Sequence, residues 1–458
     1  MSKFTGMEHR VPIEKENPSI VCNDALCKKC KLCVKACTLD AGVYPLYDLE
    51  KNGDHGVCIN CGQCIIACPF NALTEVSNIS DVEQAIADPN KKVVFITAPA
   101  VRVSLGDAFN LPTGTNVESK MVSALRKLGA DYVLDVTFGA DMTIMEEAFE
   151  LIERIQNKGV LPMFTSCCPG WVSFCEMFYP DYLNHLSTVK SPIGIQSTLI
   201  KTLFAKKNNI NPKDLVVVSV TPCTAKKYEA KRVELSQGMK SQGLDGLDCD
   251  ISITTRELAK MIKDHAIDFN SLEDQEFDNM LGKGSGAGLI FGNTGGVMEA
   301  ALRTAYYYLN GINAPSDKFL SFEAVRGLDN VKEAYVDMGK LTLHVAVANQ
   351  MAEAKKLIDE IRNGQKTFDF VEVMACKGGC VNGGGQIKIL KKPVMDEARI
   401  NRNKALYDGD KKMNLRYCHD NPLVKQVYDE FLNKPGSVIA HDLIHTHFYD
   451  RSWEINGK

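Results

Sequence analysis

The chain has 458 residues, is 45% hydrophobic and 24% charged, and carries a formal net charge of −4. That length allows roughly two to four domains and a sizeable core, while the charge gives no support for nucleic-acid binding. The opening stretch has no apolar signal segment, and runs such as Leu215–Val218 are too short to cross a bilayer, so a cytoplasmic protein with no membrane and no nucleic-acid partner is expected. There are 17 cysteines, nine of them before residue 70. A reducing cytosol does not keep structural disulfides, so that many thiols point to metal. The distribution suggests a tail over 1–20, a small metal-dense module over 21–88 and a large domain over 89–458, with the boundary in the polar stretch Thr74–Lys92.

In the module, "CKKCKLCVKAC" supplies Cys27, Cys30, Cys33 and Cys37, and "CINCGQCIIACP" supplies Cys58, Cys61, Cys64 and Cys68. Both read C-x2-C-x2-C-x3-C, the spacing of bacterial two-cluster ferredoxins, in which three close cysteines hold one 4Fe–4S cube and the fourth reaches the other. The expected groups are Cys27, Cys30, Cys33 with Cys68, and Cys58, Cys61, Cys64 with Cys37. Zinc knuckles, the alternative, use separated C-x2-C pairs and not this doubled run. The expected fold is an α+β ferredoxin-like module that relays single electrons onward. Cys22 lies outside the pattern as a spare thiol. Lys28, Lys29, Lys31 and Lys35 around the first run form either a solvated loop or a docking patch for an acidic carrier.

After residue 90 the pattern is α/β. Lys91–Pro99 reads as a buried strand, Ser119–Ala130 as a helix, Asp131–Phe138 as a strand and Asp141–Gly159 as a helix with Ile144, Ala148, Leu151 and Ile155 at helical spacing. Val160–Thr165, Leu215–Val220, the "GLIFGN" run and Phe368–Met374 repeat the short apolar theme. Alternating strands and helices favour a mostly parallel sheet covered by helices. Cys167 with Cys168, Cys223, and Cys376 with Cys380 each follow an expected strand, where open α/β folds place active sites. One such cysteine is often core packing; five in three matching contexts point to a further metal centre. The glycine-rich "GKGSGAGLIFGNTGG" lacks the ending of a phosphate-binding loop and fits close backbone approach to a buried group.

"TSCCPGW", "TPCTAKKYE" and "EVMACKGGCVNGGGQ" resemble the three signature stretches of iron-only (diiron, FeFe) hydrogenases. The likeness runs from Cys27 to the C-terminus. It implies a reversible H2-oxidising, proton-reducing enzyme with two 4Fe–4S clusters and an H-cluster, a cubane joined to a diiron unit bearing CO, cyanide and azadithiolate. Its two lobes would hold the site between them. By motif, Cys168, Cys223, Cys376 and Cys380 would hold the cubane, and Cys380 would also bridge to the diiron unit. Cys167 would be the proton-relay thiol, followed by Glu147, Ser187, Glu150 and Arg154. Lys226 would hold an iron-bound cyanide, with Pro99, Met374 and Thr221 also against the cofactor. The implied partners are H2 and protons, ferredoxin or a similar carrier, and maturation proteins for the diiron unit.

The chain departs from the common pattern at Thr221, where methionine is usual, at Lys377 after the ligand, and at Ile193, where glutamine is common. Cys175, Cys249 and Cys418 match no ligand and read as packing thiols. An H2 or redox sensor and an iron–sulfur assembly factor are the rivals on the same fold; the assembly factor would be expected to lose Cys167 and Lys226, which are present.

Overall fold

The computed structural model describes residues 9–456 apart from 321. In the N-terminal module, β1 (Ile20–Cys22) pairs antiparallel with β2 (Leu73–Glu75). Between them lie the two cysteine runs, each feeding a short helix, Leu32–Leu39 and Gln63–Ala67. Each helix follows a left-handed residue, Lys31 at φ 59° and Gly62 at φ 69°, so the repeated spacing folds into a repeated local shape. Val11 and Ile13 pack with Ile20, Ile65 and Leu73, which draws part of the 1–20 tail into the module. The helix Ile79–Ala87 does the reverse: Ile79 and Val82 pack with Val93 and Phe95 of the large domain. The change of core therefore falls near Val76–Asn78, ahead of residue 88.

The large domain contains two four-stranded sheets. β3 (Lys92–Thr97), β4 (Tyr132–Asp135), β6 (Leu215–Thr221) and β7 (Ile251–Thr254) form one, ordered β4-β3-β6-β7 and wholly parallel. β5 (Met163–Phe164), β8 (Val331–Asp337), β9 (Thr342–Asn349) and β10 (Phe370–Met374) form the other, ordered β5-β10-β9-β8, with only the edge strand β8 antiparallel. Val93–Ile96 of β3 are buried on both faces, as helix-covered parallel strands require. No helix of the described residues is long and apolar enough to cross a membrane.

Three segments differ from their sequence pattern. The apolar run Asp131–Phe138 stops being a strand at Asp135, whose carboxylate accepts a hydrogen bond from the Thr137 amide at 3.1 Å and caps a helix over Val136–Gln156. The helix expected from Asp141 thus begins earlier. Val160–Thr165 keeps strand pairing only at Met163–Phe164; Pro162 has no N–H for a ladder. "GLIFGN" is helical, Gly286–Leu289 followed by a tight turn Ile290–Gly292, with the Ser285 hydroxyl accepting from the Gly288 amide.

Candidate active site

The carboxyl ends of strands from both sheets converge on one cavity. Pro99 follows β3, Cys167 and Cys168 follow β5, Thr221 ends β6 with Cys223 just after it, and Met374 ends β10 with Cys376 and Cys380 after it; all of them line the cavity. Cys168 is the N-cap of the helix Pro169–Phe178, whose dipole favours an anionic sulfur. Its Sγ accepts from the Ala375 amide at 3.4 Å. Burial, and then the neighbouring Cys168 sulfur, push the Cys223 thiol up to about 12. Burial and the surrounding thiols drive Cys376 and Cys380 higher still. These sulfurs crowd one another in a dry place, so their thiolate forms need a cation.

Four cysteine sulfurs from three strand ends around one cavity are the kind of donor set an iron–sulfur cube takes. The wall between them is backbone at close range: Gly379 sits at φ 95°, and a Cβ there would lie 2.6 Å from the Thr294 amide nitrogen. The donor set and its cradle fit the cubane.

The adjacent cysteines face different surroundings. Cys167 packs against the core that contains Met142 and Ile193, whereas Cys168 packs against the one that contains Trp171 and Ala375. Burial holds the Cys167 thiol well above its ordinary pKa, and Glu147 adds to the effect. Glu147 is 1% exposed, and its carboxyl makes no hydrogen bond of ordinary geometry, with the Ser187 side chain and the Ser166 main chain close enough to favour its charged form. Burial first, then Glu150 and Glu372, raise it to about 8. Beyond it the Ser187 hydroxyl donates to Glu150 at 2.8 Å, and Arg154 pairs with Glu150 at 2.6 Å. The Glu150 and Arg154 side chains are 12% and 14% exposed, so the row leads outward from the cavity.

The sequence from 91 to 384 matches the family model "iron only hydrogenase large subunit, C-terminal domain". It is 43% identical over 448 residues to iron hydrogenase 1 of Clostridium pasteurianum, across 94% of this chain and 76% of that one.

The chain belongs to the iron-only hydrogenase family.

Residues 396–451 match the iron hydrogenase small subunit and 53–74 a 4Fe-4S binding domain. The NADP-reducing hydrogenase subunit HndD of Solidesulfovibrio fructosivorans is also 43% identical, across 93% of this chain and 73% of that one. Among solved structures, an apo FeFe-hydrogenase from Chlamydomonas reinhardtii superposes with a TM-score of 0.71 at 38% identity, covering 84% of this chain and all of that one.

Within this hydrogenase fold, Lys226 lies in the cavity wall, and its Nζ donates to Glu229 at 2.6 Å and toward the Cys167 carbonyl at 3.4 Å. Burial opposes its charge, but Glu229 and nearby thiols hold its pKa above the ordinary value. Glu229 was legible only as part of "TAKKYE". Of the three departures, Ile193 and Thr221 line the cavity. The Thr221 hydroxyl is engaged locally, donating to the Cys223 carbonyl at 2.9 Å and accepting from its amide at 3.3 Å. Lys377 instead lies within electrostatic reach of Asp40 in the module. Cys175, Cys249 and Cys418 are buried away from the cavity.

In the module, Cys27, Cys30, Cys33 and Cys68 line one cavity. Cys37, Cys58, Cys61 and Cys64 line another. Cys22 also borders the first. Two contacts that sequence reasoning missed join the module to the large domain: the Gln63 amide meets Cys376 Sγ at 3.2 Å, and the Thr224 hydroxyl donates to the Asn60 carbonyl at 2.6 Å.

Proposed function

We infer that this chain catalyses H2 ⇌ 2 H+ + 2 e−. The observation that carries the reading is the convergence of five cysteines from three strand ends on one cavity, beside a buried lysine and a buried carboxyl. Cys168, Cys223, Cys376 and Cys380 would hold the cubane, with Cys380 also bridging to the diiron unit. Lys226 would donate a charge-assisted hydrogen bond to a cyanide, with Pro99, Met374 and Thr221 against the remaining faces. When bound, the H-cluster supplies the coordination site and redox capacity that split H2.

The chain's own residues then move the proton. The Cys167 thiol passes it to Glu147, which burial poises to exchange a proton near neutral pH. Ser187 hands it to Glu150, and Arg154 orients Glu150 at the outer end. Apolar walls keep bulk water away.

Electrons would leave through two 4Fe–4S clusters, held by Cys58, Cys61, Cys64 with Cys37 and by Cys27, Cys30, Cys33 with Cys68. The two-cluster module, with the tail segment from Val11 packed into it, and the catalytic domain that follows Asn78 would be the working units. Ferredoxin is the proposed carrier. Support comes from exposed Cys30 among exposed Lys28, Lys29, Lys31 and Lys35, with Leu26, Leu32 and Phe70 exposed nearby. Presence of both Cys167 and Lys226 favours catalysis over an assembly role. A cytoplasmic location and maturation partners complete the reading.

Infrared spectroscopy of the matured protein tests it. Bands of iron-bound CO and cyanide, absent from a Cys223→Ala variant made in the same way, are expected. A spectrum without such bands under conditions that load a control hydrogenase would contradict the reading.

A further inference from the structure

Gln63 reaches out of the N-terminal module into the wall of the catalytic cavity. Its Nε2 lies 3.2 Å from Cys376 Sγ and 3.2 Å from the Asn382 carbonyl, groups 313 and 319 residues away in sequence. Both partners accept, so the amide nitrogen and not the oxygen must face them. The side chain is 7% exposed. Gln63 also lines the module cavity that Cys61 borders, so one residue borders both groups and places its side-chain donor on the Cys376 sulfur.

The surroundings hold this arrangement in place without Gln63. Gly62 is left-handed at φ 69°, and a Cβ there would collide with the Thr224 side chain and meet Gly384 Cα at 3.1 Å. Thr224 donates to Asn60 at 2.6 Å. Arg256 spans the same seam, pairing with Glu75 at 2.7 Å and donating to the Gly384 carbonyl at 2.7 Å. Docking is thus carried by several contacts, and the amide of Gln63 is free to serve another end.

We propose that Gln63 is a positioning residue that sets the reduction potential of the cluster held by Cys376. The proposal rests on the hydrogenase reading above. An N–H donor to a ligating sulfur stabilises the more negative, reduced cluster more than the oxidised one, so hydrogen bonds to sulfur raise a cluster's potential. The step is a one-electron transfer between the two clusters; no bond forms and no proton moves. With the donor present, the catalytic cluster accepts an electron from the module more readily.

The test is a redox titration of the full-length, cluster-loaded protein followed by electron paramagnetic resonance, with Gln63→Leu and Gln63→Glu beside the parent. Gln63→Leu keeps the bulk and removes the donor. At the parent's midpoint, its reduced-to-oxidised ratio for the catalytic cluster should fall about tenfold, or about 59 mV for a one-electron couple. Gln63→Glu sets a carboxyl group against the sulfur and should fall further. The cluster of Cys27, Cys30, Cys33 and Cys68 should keep its potential in both. An unchanged catalytic midpoint with full iron content overturns the proposal. So does an equal shift of every cluster, or loss of iron, since either would make Gln63 a merely structural contact. A parent protein with module clusters but no catalytic cluster signal would instead overturn the hydrogenase reading, and this inference with it.

Discussion

Lys226 and Glu229 face each other one turn apart on the short helix after Cys223, Nζ 2.6 Å from Oε2, with both side chains 10% exposed. The pair fixes the ammonium at the cavity wall. Breaking it from the acid side leaves a buried cation uncompensated. Glu229→Ala should therefore cost about 3–5 kcal/mol in denaturant-induced unfolding, while Glu229→Gln, which keeps a hydrogen-bond acceptor, should cost clearly less. Equal costs for the two substitutions would mean that the lost charge alone sets the penalty, and no cost for Glu229→Ala would mean that Glu229 does not hold Lys226.

Glu147 gives the protein a pH dependence of known sign. Its pKa rises from 4.5 to about 8, chiefly through burial, so the folded chain binds this proton more tightly than the unfolded chain. Its contribution to stability is full below about 4.5 and is lost as pH rises toward about 8. Glu147→Gln should flatten the fall in unfolding free energy across that window, measured by urea melts at several pH values. It should also lower H2 turnover by about 10²-fold or more, the usual loss for a positioned acid–base group. A variant whose stability falls with pH as steeply as the parent's would show that Glu147 is not the buried acid described.

The surface cluster group offers an electrostatic test. Lys28, Lys29, Lys31 and Lys35 are all exposed around exposed Cys30. Lys28→Glu with Lys31→Glu should slow ferredoxin-linked turnover at low salt by about 10-fold or more and leave H2 oxidation with a small neutral dye unchanged. Equal ferredoxin rates before and after the change would remove this face as the docking site.

The site was more legible in the sequence than the elements that frame it. Cysteines at strand ends are a local signal: the apolar run, the thiol and the turn all lie within a few residues. Segment identity was less secure where local preference and tertiary demand conflict. Val133, Leu134, Val136 and Phe138 alternate like a strand, yet Asp135 caps a helix in the middle of them. "GLIFGN" is apolar enough for a strand, but Ser285 and the glycines turn it into helix. Gln63 could not be found at all, because its partner lies 313 residues away and a glutamine inside a cysteine run carries no pattern of its own.

The paired cysteines should fail in different ways. Cys167 and Cys168 pack against separate cores, so Cys167→Ala should retain the CO and cyanide bands while losing about 10²-fold or more in rate. On the proposed ligand set Cys168→Ala would remove a hold on the cubane and should lose iron as well as activity. Loss of the metal centre in Cys167→Ala with retention in Cys168→Ala would reverse the two roles.

The central claim is that this cavity splits H2, and H2-dependent reduction of a neutral dye by the matured protein tests it most directly. The account predicts steady dye reduction under H2 that disappears in Cys223→Ala. Matured protein that shows CO and cyanide bands yet reduces no dye under H2 would contradict it, and would leave a sensor as the better description of the same site.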